Sequence, residues 1–208
     1  MSVGCALIRG LIGRQWQGLF LLLPVWLSPL AMADQPLFSD TDFRGVFEQR
    51  IFLPDGLLAS ESRGEFALMA PHYLRWQTLD PGRQLLLMDG EYLWQYDQDL
   101  ETLSRHAVAD LDAAPLELLL APRSLILEQY SLTETEISVT LVPKAEQGTF
   151  KALTIETIDK RPQKLSITDN LGQRIEVILQ IAVDNPPAEQ DFVWQMPEGV
   201  ELLESELP

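Results

Sequence analysis

The chain has 208 residues, 46% of them hydrophobic, and a net charge of −16 from 15 Lys plus Arg against 31 Asp plus Glu. That balance excludes a disordered or collagen-like chain. It also speaks against nucleic acid, whose phosphates need clustered basic side chains, and against docking on anionic membrane through a basic patch. One Cys and two His leave little material for metal centres or for Cys- or His-dependent catalysis, so no metal and no cofactor is expected.

Residues 1–33 read as a cleaved signal peptide. Arg9 and Arg14 supply a positive n-region, Gly18 to Leu30 is an apolar run broken by Pro24, and Ala31-Met32-Ala33 is an A-x-A cleavage site. The alternative is an uncleaved anchor helix, for which the run is short. Cys5 precedes the apolar run, so it is not the acylated Cys of a lipoprotein. The leader carries two Arg and no acid, which leaves the mature chain at −18 and without cysteine. An exported soluble protein without disulfides is the expectation.

From there the pattern is mostly strand. Arg63–Met69, Tyr73–Leu79, Gln84–Met88 and Glu91–Tyr96 follow one another, divided by Ala70-Pro71-His72, Asp80-Pro81-Gly82-Arg83 and the hairpin signal Asp89-Gly90. A helical interlude follows. Pro115 suits a first turn, Leu116, Leu119 and Leu120 keep i, i+3, i+4 spacing, and Pro122 breaks the run into two short helices or one kinked helix reaching Leu127. Being apolar nearly all round, this segment must be buried against a sheet, either as a plain core plug or as a lid over a cavity. A second strand series runs through Ile137–Val142, Ala152–Ile158, Lys164–Thr168 and Arg174–Ile181. Apolar and polar residues alternate in it, as in an antiparallel sheet that buries one side.

Catalytic signatures are missing. There is no G-x-S-x-G, G-x-G-x-x-G, P-loop or H-E-x-x-H. Asp97-x-Asp99-x-Glu101 resembles the start of a calcium loop, but Thr102 stands at the sixth position and Val108 at the twelfth. His72 and His106 read as solvated loop residues, and Glu134 and Glu136 as solvated strand residues. Tyr92, Trp94, Tyr96 and Trp76 read either as cross-strand core pairs or as the lining of a pocket.

Four ordered stretches resemble the periplasmic lipoprotein carriers of the LolA type. They are Phe43-x-x-x-Phe47-x-Gln49 with Pro54-Asp55-Gly56; Gly64-x-Phe66-x-Leu68-x-x-Pro71-x-x-x-Arg75-Trp76 with Pro81 and Asp89-Gly90-x-x-Leu93-Trp94-x-Tyr96; Ala114-Pro115-x-x-Leu118-Leu119; and Leu141-x-Pro143-Lys144-Ala145 with Gly148, followed by Pro197-x-Gly199-Val200. Together they span roughly residues 40 to 203. The resemblance implies a mainly β (α+β) fold, an unclosed antiparallel β-barrel with a short helical lid over an apolar cavity. It implies domain limits of 34–203 for the carrier and 204–208 for an acidic tail.

On this chain the cavity is expected to be lined by Phe47, Phe66, Trp76, Leu87, Trp94, Leu116, Leu119, Leu120, Val139, Leu141 and Ile155. The implied activity is not enzymatic: a periplasmic monomer shields the acyl chains of lipoproteins. It takes them from an ATP-driven inner-membrane lipoprotein-releasing complex and passes them to an outer-membrane lipoprotein receptor. Two departures stand out. The segment Asp34–Asp40 is too short for the family's opening helix, and Ala70 occupies the position of an Arg that latches the lid. Another acylated cargo or glycolipid, a lipid-binding sensor and a hydrolase using scattered carboxylates remain the alternatives.

Overall fold

The computed structural model describes residues 37–38, 42–108, 115–145, 148–200 and 202–204. The leader reading and the start of the mature chain therefore lie outside the described residues, apart from Leu37 and Phe38. Twelve strands form one sheet: β1 (Phe43–Phe52), β2 (Leu58–Met69), β3 (Tyr73–Asp80), β4 (Gln84–Asp89), β5 (Tyr92–Asp97), β6 (Thr102–Ala107), β7 (Tyr130–Glu134), β8 (Ser138–Pro143), β9 (Ala152–Ile158), β10 (Arg161–Thr168), β11 (Arg174–Ile181) and β12 (Leu202–Glu204). A 3-10 turn (Glu117–Leu119) and one α-helix, α1 (Arg123–Gln129), interrupt them between β6 and β7.

The strand order is β12-β6-β5-β4-β3-β2-β1-β11-β10-β9-β8-β7, so β1 joins two meanders and the sheet does not close. The expected unclosed antiparallel barrel with a short helix is the fold. Every pairing is antiparallel except the edge, where β12 lies parallel to β6. Leu202–Glu204, expected at the boundary between carrier domain and tail, thus form a strand. The register places alternate residues on two faces, as a period of two dictates. The inner face carries the main core, which includes Phe43, Phe47, Phe66, Leu68, Leu74, Leu153, Leu165 and Leu179. Phe38, 3% exposed, inserts into the same core from the short segment ahead of β1.

Close approach explains one glycine. A Cβ on Gly64 would meet the Gln77 carbonyl oxygen at 1.9 Å and the Phe47 ring at 2.8 Å. Phe47, opposite Gly64 in the register, uses the vacant space to stack on Trp76, with ring centroids 3.8 Å apart.

The outer face holds a smaller cluster. Phe192, in the 3-10 turn Glu189–Phe192, packs with Ala67, Leu85 and Leu87, and Trp194 lies against Trp94 and Tyr96. An ion pair between Arg44 of β1 and Asp191 pins this C-terminal segment to the sheet, and the Ala188 N–H donates to the same carboxylate at 2.7 Å.

Candidate functional site

The inner face and the segment that covers it form the candidate site. On the β8–β11 side two adjacent inner rows are aliphatic across four strands. Ile175, Ile167, Leu153 and Leu141 are cross-strand neighbours, as are Val177, Leu165, Ile155 and Val139. Among the described residues no polar or charged residue is buried. Such a surface has nothing to offer a polar ligand and a large area to offer an alkyl chain.

The covering segment follows from its prolines. Pro122 cannot continue a helix begun upstream, because it lacks an N–H; it caps α1 in extended conformation instead. The expected break gives a 3-10 turn followed by one short helix. Leu118, Leu119, Leu120, Ala121 and Ile126 are buried and join the inner core, while Leu116 packs at its margin. The outward side of α1 is not buried as expected: Leu125 and Leu127 are 37% and 47% exposed. A seven-residue helix against a curved sheet has one face to bury, and its apolar outer residues are left in water.

Polar clasps hold this segment at both ends of α1. The Arg123 guanidinium donates two hydrogen bonds to the Glu134 carboxylate on β7, at 2.9 and 2.5 Å. Those donated bonds hold the Glu134 carboxyl below its ordinary range and raise Arg123 above its own. Glu134, expected to be solvated, is therefore paired, whereas Glu136 is exposed. At the other end the Lys144 ammonium donates to the Leu127 carbonyl at 2.6 Å, satisfying one of the orphan acceptors of a helix C-terminus.

Of the residues expected to line a cavity, Phe47, Phe66, Trp76, Leu119, Leu120, Val139, Leu141 and Ile155 come together on the inner face, with Leu116 beside them. Leu87 and Trp94 do not. They sit on the outer face with Phe192 and Trp194, because each is one residue out of phase with its inner neighbours Met88 and Leu93. Trp94 also donates its indole N–H to Asp89 at 2.8 Å. Burial alone would raise the Asp89 carboxyl; the N–H groups of Tyr92, Trp94 and Glu91 outweigh it and hold the carboxyl low. Inner residues not singled out in advance include Phe43, Leu68, Leu74, Leu118, Ile126, Leu153 and Leu165. Alternation within the strands was the signal for all but Leu118 and Ile126, which lie in the covering segment.

Other positions differ from expectation as well. His106 is not a loop residue but part of β6, with a buried Nδ1 that has no hydrogen-bond partner, while His72 lies exposed in the β2–β3 turn. Asp97 and Asp99 form turns: Asp97 accepts the N–H groups of Asp99 and Leu100, and Asp99 that of Arg83. The Leu100 N–H, then the Gln84 amide, hold the Asp97 carboxyl below its usual range. Ala70, the latch position, ends the β2 hairpin and donates its N–H to Asp42 at 3.3 Å.

Among the described residues, two depressions are pronounced. One of about 540 Å³ lies on the outer face and is lined by Arg44, Glu65, Arg75 and Asp191 among others; these charges suit no alkyl chain. The other, about 480 Å³, opens on the inner face beside Trp76 and Leu116. Among the described residues no helix is long and apolar enough to cross a membrane.

Comparison with known proteins places this geometry. The family model described as "Outer membrane lipoprotein carrier protein LolA" matches residues 40–194. A protein of Alkalilimnicola ehrlichii named outer-membrane lipoprotein carrier protein is 33% identical over 193 residues, 88% of this chain and 89% of the relative. One of the same name from Halorhodospira halophila is 33% identical over 165 residues, 78% of this chain and 79% of the relative. A solved LolA superfamily protein from Nitrosomonas europaea superposes with a TM-score of 0.42 at 13% identity, covering 78% of this chain and 94% of that one.

Proposed function

Since the chain belongs to the LolA family of outer membrane lipoprotein carriers, we propose that it is a periplasmic carrier that holds lipoprotein acyl chains on the inner face of its sheet. The observation that carries this reading is an inner face whose buried residues are all apolar, closed by a short, separately clasped apolar segment. Two or three acyl chains anchor a lipoprotein by tens of kcal/mol at ~0.8 kcal/mol per methylene, so unaided escape from the membrane is negligibly slow. A carrier must match that surface while loaded and hide it while empty, since an exposed patch of that size aggregates.

The magnitudes fit an exchange of segment for cargo. Withdrawing Leu118, Leu119, Leu120 and Ile126 from the core costs about 6–12 kcal/mol at ~1.5–3 kcal/mol per side chain. One sixteen-carbon chain returns about as much by the per-methylene figure, and a second or third chain makes displacement favourable. Loading starts from chains already buried in a bilayer and so needs an external energy source, an ATP-driven releasing complex in the inner membrane. Unloading needs an acceptor at the outer membrane that binds the chains more tightly. The 34–203 unit acts as a monomer after removal of residues 1–33, and no catalytic residue takes part.

The test is release. The mature protein is incubated with spheroplasts that hold a labelled lipoprotein, and the soluble fraction is examined. A one-to-one complex with the acylated lipoprotein is expected, and none with a non-acylated variant. Equal recovery of both, or of neither, would overturn the reading.

A further inference from the structure

The inner face of β2–β6 changes character along the strands. Three cross-strand rows show the change. Leu68, Leu74, Met88 and Leu93 form an apolar row that ends at His106. One register further, Phe66, Trp76 and Leu86 are followed by Gln95 and Ser104. In the next row Gly64, Thr78, Gln84, Asp97 and Thr102 include no apolar side chain. The 480 Å³ depression lies over this polar end at the β6–β12 edge, with Trp76, Leu86 and Leu116 of the inner side and Leu85, Leu103 and Leu203 at its apolar border.

Apart from Asp97 and its partner Gln84, its polar walls are uncharged and unengaged. Among the described residues, the side chains of Gln49, Thr78, Gln95, Thr102 and Ser104 make no hydrogen bond within the protein. The carboxylate there, Asp97, already accepts from Gln84 at 2.8 Å and from two backbone N–H groups. Neutral donors and acceptors suit a neutral polar ligand, and the engaged carboxylate disfavours an anion. At ~30 Å³ per water-sized group the space takes about sixteen such groups, which is too little for several alkyl chains. It is enough for the group that joins the chains to a polypeptide.

Resting on the carrier reading, we propose that this cleft is a polar subsite for the ester or amide linkage of the acyl chains and the first peptide residues of the cargo. The chains then run from it toward the Leu68–Leu93 row, beneath the covering segment. Cargo enters in one orientation, and its linkage presses first on Leu116, where the cover begins.

The experiment compares two synthetic lipopeptides as competitors of a fluorescent naphthylamine probe. One carries two ester-linked palmitoyl chains; in the other, ether links of the same length remove the carbonyls. The ester form should displace the probe about three- to tenfold more effectively, the range of one net hydrogen bond. In the Gln95→Leu/Ser104→Val double variant that preference should vanish while affinity for the ether form is kept. Equal affinity of the wild-type protein for both forms would overturn the subsite, and this comparison requires no variant. A preference undiminished in the double variant would overturn it as well. If neither lipopeptide displaces the probe, the carrier reading fails and the subsite falls with it.

Discussion

The two halves of the inner face meet at β1 and are built for different tasks. On β8–β11, rows such as Val177, Leu165, Ile155 and Val139 are aliphatic from strand to strand. On β2–β6 the corresponding rows pass from leucine and methionine through aromatic rings to glutamine, serine and threonine. A uniformly aliphatic surface has no preferred place for a chain to stop, so on the proposed reading it would let a chain slide. A graded surface fixes which end of an amphiphile lies where. On the proposed carrier reading, the difference separates capacity, set by the late strands, from orientation, set by the early ones.

The sharpest way to break that comparison is to weaken one half at a time. Leu165→Ala leaves a cavity in the dry half and should cost about 2–5 kcal/mol in chemical denaturation. Gln95→Ala, at an exposed position of the graded half, should stay within about 0.5 kcal/mol of the parent. Comparable losses for the two would mean that the halves are equally structural. Leu119→Asp tests the segment that covers the inner core. A carboxylate on a dry face costs several kcal/mol or forces the segment outward. The protein should melt less far below the parent than Leu165→Ala does, bind more apolar dye when empty and hold less acyl probe. Unfolding of the whole domain would make the segment ordinary core.

Smaller effects sharpen the picture at its edges. Trp94→Phe removes the indole donor to Asp89 and should cost about 1 kcal/mol in a melt. Acyl-probe uptake should not change, because Trp94 faces outward; reduced uptake would place it back in the site. Glu134→Gln loosens the clasp on α1. Both partners are more than a third exposed (39% and 42%), so about 0.2–1 kcal/mol is expected. The folded Glu134 carboxyl lies below its unfolded value, so its contribution is complete above the ordinary glutamate range and fades as pH falls through the depressed value. Parent and variant should therefore converge in melting temperature on acidification and differ at neutral pH. A gap that widens in acid would contradict the pairing.

How much of this was legible depends on the type of inner residue. Strands whose inner positions are consecutive hydrophobes, such as β8 with Val139 and Leu141, stand out by alternation. β6 does not, because its inner positions are Thr102, Ser104 and His106 and its other face combines Leu103 with Arg105, so no apolar alternation shows. Two of them, Thr102 and Ser104, line the proposed polar subsite, so the features that hid the strand are the ones to which the proposal gives a task. β1 was obscured in another way. Phe43 and Phe47 are four apart, with Gly45 between them on the same face, a spacing that also suits a helix.

The sequence by itself determined the class of molecule. Two alternating strand series and an interrupted leucine segment between them were enough for an antiparallel sheet buried on one side with a short helix against it, because periodicity and proline chemistry act over a few residues. The unclosed barrel followed only from the family resemblance of the ordered motifs. Only the tertiary structure decided the sides. Leu87 and Trp94 are as apolar as their neighbours, yet pairing of β4 with β5 sends them outward to Phe192 and Trp194, more than ninety residues away in the chain. Arg123 and Glu134 could each have remained in water; the turn from α1 into β7 brings them together. Register couples every residue of a strand to its partner strand, so which face a side chain serves is a property of the pairing and not of the residue.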